Sequence, residues 1–148
     1  MSINKLIDNK PAFKRDALAT ECGKHPFDLR KAATNLRRRT QERNAQRRRL
    51  FEKADTQCKR IVTMAIEKYK PRRIYIWGSL LHPERFDENS DIDIAVEGVE
   101  PAEKFFALAG DALNMVAFPL DLVELDKIDP LDRQTIITKG KLVYERPD

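Results

Sequence analysis

Apolar positions along the chain fall into alternating helical and strand-like periods. Between residues 51 and 69, Phe51, Ala54, Cys58, Ile61, Val62, Ala65, Ile66 and Tyr69 recur at steps of three and four. Such spacing makes one apolar stripe on a helix, fit to pack on a sheet. Residues 74–77, Ile-Tyr-Ile-Trp, are apolar and β-prone and stop at Gly78, which reads as a strand running into a turn. Asp91-Ile92-Asp93-Ile94-Ala95-Val96 alternates charged and apolar side chains, the period of a second strand. Pro101 stands at a first helical position, and Phe105, Leu108, Ala109, Ala112, Leu113 and Val116 give a second amphipathic helix. A strand around Leu120–Val123 carries Asp121, with Pro119 at its entrance, where a missing N–H does least harm. Asp129-Pro130 reads as an N-cap and first turn, Gly140 as a helix stop and Leu142-Val143-Tyr144 as a last strand. These elements predict an α/β (α+β) domain, a mixed sheet of about four strands flanked by helices.

The first third of the chain follows another rule. Residues 1–27 are interrupted by Pro11, Gly23 and Pro26, with room for a short helix from Ala12 to Cys22. From Asp28, a plausible N-cap, to Lys70 there is no Gly or Pro. As one rod this stretch would be about 65 Å long, which leaves room for a break within it. Arginine occupies positions 37, 38, 39, 43, 47, 48 and 49. At about 100° per residue these side chains point in nearly every direction, so no face is left to bury. The segment is expected to be solvated, disordered or held against a partner. The chain therefore divides into a basic helical extension, residues 1–50, ordered in part, and a folded domain, residues 51–148.

Charge sharpens that division. The 148 residues carry a net charge of +4. Residues 1–73 hold 21 Lys and Arg against 8 Asp and Glu, a net +13, whereas residues 74–148 hold 7 against 16, a net −9. Nucleic acid, an acidic partner protein or the acidic half of another copy would each suit the basic half. The absence of aromatics between Arg37 and Arg49 speaks against stacking on single strands and leaves contact with the phosphate backbone open. No apolar run is long enough to span a membrane and no signal-peptide pattern opens the chain, so a cytoplasmic location is expected. Cys22 and Cys58 lack metal-ligand spacing, and Cys58 falls on the apolar stripe, as core. His82 reads as a solvated loop residue, and His25 beside Pro26 has no role to argue.

The chemistry concentrates between Gly78 and Asp121. On one strand, Asp91 and Asp93 would share a face with Cα atoms about 6.6 Å apart. At an effective dielectric near 20 their charges would repel by roughly 2–3 kcal/mol. A divalent cation that accepts carboxylate oxygens and substrate phosphates, such as Mg²⁺, offsets such a repulsion. Gly78 permits close approach to the backbone, and Ser79 would sit at the start of a short helix, suited to phosphate. Taken singly, each has a plainer reading: a solvated strand end for the aspartates, a turn for Gly78, a cap for Ser79, core for Trp77. In combination they favour a metal site.

Gly78-Ser79, a spacer and Asp91-x-Asp93, followed by Asp121 in Pro119-Leu-Asp-Leu-Val-Glu124, resemble the signature of the polymerase-β-type nucleotidyltransferases. The resemblance is nearest to the minimal MNT-type members, which often act as antitoxins beside HEPN partners, and covers about residues 60–146. It implies a nucleotidyltransferase-like fold in which Asp91, Asp93 and Asp121 bind two Mg²⁺ ions and serve catalysis, while Gly78 and Ser79 hold the phosphates of ATP or another NTP. It further implies transfer of a nucleotide, AMP from ATP, onto a hydroxyl of a HEPN-type toxin, with this chain as the antitoxin. Leu81, His82 and Pro83 stand where members commonly carry a small residue, an Arg and a Gly, and the spacer is one residue longer. Both departures bear on nucleotide affinity rather than metal binding. They also keep an alternative open: an inactive nucleotidyltransferase-fold module that binds nucleic acid or a partner protein through its Arg-rich helix.

Overall fold

A computed structural model describes residues 27–148. The expectations for Ala12–Cys22, Cys22 and His25 lie outside the described residues. The chain divides into two units, Met1–Arg38 and Arg39–Asp148. Helix α1 runs unbroken over Leu29–Met64. Asp28 caps it, accepting from the backbone N–H of Arg30 at 3.0 Å and of Lys31 at 3.2 Å. The break that its length allowed does not occur, because no Gly or Pro interrupts it and its second half is anchored by packing. The helix loosens only at its end, into a π-helical turn, Ala65–Tyr69. Lys70 then takes a left-handed conformation ahead of Pro71, which closes the helix.

Four strands follow: β1 Arg73–Trp77, β2 Ile92–Glu97, β3 Leu120–Glu124 and β4 Lys141–Glu145. Helix α2, Ala102–Leu113, links β2 to β3, and α3, Pro130–Lys139, links β3 to β4. The sheet order is β3-β2-β1-β4. β1 pairs antiparallel with β2 and β4, and β2 pairs parallel with β3, the mixed four-stranded sheet that the sequence predicts. Pro101 stands one residue before α2 rather than in its first position. Asp129 caps α3 through the Leu131 N–H at 2.8 Å. Gly140 ends α3 as expected, but by close approach: a Cβ there would collide with the Ile136 carbonyl.

Strand alternation sorts the sheet into two unlike faces. On one, Ile74, Ile92, Ile94 and Val96 pack under Ala54, Cys58 and Ile61 of α1 and Leu108 and Ala112 of α2, with Phe86 at one end. This is the main core, and the predicted stripe supplies it. Buried among apolar neighbours, the Cys58 thiol is pushed up to about 12, chiefly by desolvation, and is inert. The stripe expected on α2 is narrower than its sequence suggests, since Leu113 remains exposed. Among the described residues, α3 is the helix that covers the opposite face of the sheet. Tyr75, Ala95, Leu125 and Ile136 form a smaller cluster there, with Trp77, Val123 and Ile128 at its margin. Among the described residues, no helix is long and apolar enough to cross a membrane.

Candidate active site

The register of the sheet decides which acidic side chains meet. Asp93 is paired with Trp77 on β1 and with Asp121 on β3. Residues paired across neighbouring strands project to the same face, so Asp93 and Asp121 stand side by side on the face that α3 covers only in part. Asp91 immediately precedes β2, one residue outside the strand in which alternation had placed it. Its backbone is tied down, its carbonyl accepting the Ser79 hydroxyl at 3.1 Å. The Ile92 N–H donates to the Pro119 carbonyl at 2.9 Å, which fixes the start of β2 against the entrance to β3.

The Gly-Ser turn forms the wall of this site. Residues Gly78–Leu81 make a single 3₁₀ turn and Pro83–Arg85 another, with His82 between them. Gly78 has a positive φ of 69°, and a Cβ on it would collide with the Asp93 carboxylate. Any other residue there would be strained and would push Asp93 aside. Phe86 anchors the loop from below. Fully buried, it meets the Phe51 ring of α1 edge to face at 5.7 Å and that of Phe118 at 5.9 Å. Sequence pattern gave little sign of this role; the only hint is an isolated aromatic in the polar run Glu84-Arg-Phe-Asp-Glu. His82 is an exposed loop residue with its Nδ1 3.5 Å from Glu84.

Electrostatically, Asp93 is the unusual group. The residue is only 9 % exposed. Desolvation first, then the negative charges of Asp121 and Asp91, push its carboxyl from the ordinary value of 3.8 up to about 6, against the pull of the Ser79 backbone N–H. Glu97, four residues along the same strand, is buried too, but Arg133 meets it at 2.6 Å and Arg73 at 3.4 Å. Asp93 has no such cation among the described residues. Asp91 and Asp121 are exposed, so the cluster opens to solvent on one side.

Among the described residues, no group of three or more His, Cys, Asp or Glu side chains stands close enough together to hold a metal ion as they are placed. The donor set nevertheless suits a hard divalent cation: oxygen ligands only, mutually repelling, with one of them buried and lacking a counter-charge. The residues therefore fit such an ion in composition and charge. Beside Asp121 lies a cavity of about 280 Å³ lined by Trp77, Val123, Ile128, Asp132, Thr135 and Ile136. The Trp77 Nε1 is buried without a hydrogen-bond partner. Trp77 is thus both a margin of the small core and a wall of the site.

Comparison with known proteins bears on the fold and the family. No curated protein matches the sequence. Solved structures do. One is a mutant form of the toxin–antitoxin MntA-HpeT, with 25% identity over 60% of this chain and 73% of that one and a TM-score of 0.50. The toxin-antitoxin MntA-HepT matches with 24% identity over 62% and 73% at a TM-score of 0.48. A tri-AMPylated Shewanella oneidensis HEPN toxin in complex with MNT antitoxin matches with 24% identity over 63% and 73%, also at 0.48. Residues 59–148, more than half of the chain and including every carboxylate of the cluster, match the polymerase beta, nucleotidyltransferase family. The chain belongs to that nucleotidyltransferase family.

Proposed function

We propose that this chain is a metal-dependent nucleotidyltransferase of the MNT type, which moves AMP from ATP onto a hydroxyl of a HEPN-type protein as the antitoxin of a toxin–antitoxin pair. The observation that carries the reading is the register Asp93–Asp121 beside Gly78, in a chain of this family. The likeness to a toxin–antitoxin MntA-HpeT structure at 25% identity and a TM-score of 0.50 supports the choice of partner.

In this reading Asp91, Asp93 and Asp121 would hold divalent cations, Mg²⁺ by their oxygen-only donor set. Bound there, such ions would stabilise the charge that develops on the phosphoryl oxygens. The chain's own residues do the positioning. Gly78 lets the triphosphate approach the main chain, and the Ser79 N–H, which now faces Asp93, is the donor that phosphate would take over. The Ser79 hydroxyl stays on the Asp91 carbonyl and keeps the turn closed. Asp121, exposed on an edge strand, is within reach of a hydroxyl arriving from outside. It orients that hydroxyl and accepts its proton as the oxygen attacks the α-phosphorus. The bond to the bridging oxygen breaks, and pyrophosphate leaves.

Pyrophosphate release from ATP and Mg²⁺ in the presence of a HEPN-type partner tests the proposal. Release that disappears in Asp91→Ala and Asp93→Ala supports it. Release unchanged by both variants rules the site out, and no release in the wild-type protein favours the inactive binding module.

A further inference from the structure

The two edge strands of the sheet are guarded differently. On β4, Lys141 is exposed, the register with β1 shifts between Ile74 and Tyr75, and Glu145 is held by Arg73 at 2.8 Å. Charge and an irregular register are the usual guards of a free edge. β3 runs in step with β2 throughout, from Leu120 beside Ile92 to Glu124 beside Val96. Its one exposed residue, Asp121, belongs to the site itself. Both ends of this pairing are fixed: the Ile92 N–H donates to the Pro119 carbonyl at 2.9 Å, and the Leu125 N–H to the Val96 carbonyl at 2.8 Å. Main-chain groups alternate sides along a strand, so those of Asp121 and Val123 face β2, and those of Leu120, Leu122 and Glu124 face outward. The Glu124 carbonyl accepts the Lys127 N–H at 3.0 Å. Among the described residues, the outward N–H and carbonyl groups of Leu120 and Leu122 have no partner.

We propose that the free edge of β3 takes an extended, basic segment of the partner protein as an added antiparallel strand, which sets a hydroxyl side chain of that segment opposite Asp121. The role of the hydroxyl rests on the transferase reading above; the docking rests on the strand. In a segment hydrogen-bonded to Leu120 and Leu122, the residue opposite Asp121 falls in a non-hydrogen-bonded pair. There the Cα atoms stand about 4.5 Å apart and the side chains come closest. That residue projects from the same face as Asp121 and Asp93. The surroundings set the charge of the segment. Asp132 lines the cavity beside Asp121, and residues 74–148 carry a net −9. Lysine or arginine next to the hydroxyl residue therefore suits the edge. A second copy of β3 does not, being equally acidic and holding no Ser, Thr or Tyr between Leu120 and Glu124. Main-chain hydrogen bonds supply affinity whatever the sequence of the segment, and the residue facing Asp121 supplies specificity.

Amide hydrogen exchange of the full chain, read residue by residue by NMR with and without the HEPN-type partner, tests it. Asp93→Asn carries the measurement, so that docking is read apart from turnover. On adding partner, exchange at Leu120 and Leu122 should slow by about 10-fold or more. The Asp121 and Val123 N–H groups, already turned to β2, should change little. Leu122→Pro removes an outward N–H and no bond to β2, the one side on which an edge strand accepts proline. It should weaken partner binding by about 5-fold or more and leave the affinity for ATP with Mg²⁺ unchanged. If Leu122→Pro does not fold, the exchange pattern decides alone. Protection at Leu120 and Leu122 without pyrophosphate release by the wild-type chain supports the docking and overturns the transferase reading. Release by the wild type without that protection overturns the inference, as does partner binding that a folded Leu122→Pro leaves unchanged. Absence of partner binding overturns it as well.

Discussion

Asp93 and Glu97 are buried carboxylates on the same face of the same strand, yet their surroundings treat them oppositely. Glu97 sits between the guanidinium groups of Arg133 and Arg73. Among the described residues, Asp93 faces Asp121 and Asp91 and is offered a backbone N–H but no cation. A buried carboxylate that exists only to hold the fold is paired, because leaving it alone costs several kcal/mol. Glu97 follows that rule and pins α3 to the sheet. Asp93 departs from it, and the proposed function accounts for the departure by a cation bound beside it.

The comparison breaks first at the chemistry. Asp93→Asn should lower nucleotidyl transfer by on the order of 10²–10³-fold or more, and Asp121→Asn should do likewise. Pyrophosphate release is the readout. Glu97→Gln, read by the same assay under conditions where it is folded, should leave transfer within a few-fold of the wild type.

Stability should move the other way. Burial and the neighbouring carboxylates push the Asp93 carboxyl up from 3.8 to about 6 in the folded protein. The folded state therefore holds its proton more tightly. The stability this contributes is fully present below about pH 3.8 and is lost as pH rises through about 6. Without divalent cation, Asp93→Asn should be more stable than the wild type at pH 8 by up to about 3 kcal/mol, the difference vanishing near pH 4. Denaturant melts at the two pH values check this. Added Mg²⁺ should raise the Tm of the wild type and leave that of Asp93→Asn where it was.

Glu97→Ala should destabilise by about 1–2 kcal/mol, since it strands guanidinium groups that are themselves partly exposed. Chemical denaturation at pH 7 measures it. The smallest change expected is Trp77→Phe, which removes a buried donor with no partner and should stabilise by about 1 kcal/mol or less. If instead it destabilises by more than that, the indole fills the face in a way Phe cannot.

Much of the fold was legible because it rests on local periods. The stripe from Ala54 to Tyr69 packs as its spacing requires, and the alternation of β2 places Ile92 and Ile94 in the core and Asp93 opposite. The caps at Asp28 and Asp129 hold because an Asp ahead of a helix has a backbone N–H to accept within reach. What escaped depends on partners distant in sequence. Nothing near Phe86 announces Phe51 and Phe118, and nothing near Glu97 announces Arg133. Asp91 lies just outside its strand, and its carbonyl accepts the Ser79 hydroxyl, a contact twelve residues apart. Of the candidate site, residue types and spacing suggested three carboxylates, whereas the surroundings of Asp93 appear only once the strands are in register.

The most direct test is the mass of a HEPN-type partner after incubation with this chain, ATP and Mg²⁺. The account predicts that the partner gains whole adenylyl groups with the wild-type chain and with Glu97→Gln, and none with Asp93→Asn. Modification that persists in Asp93→Asn, or that Glu97→Gln abolishes while still folded, would contradict it.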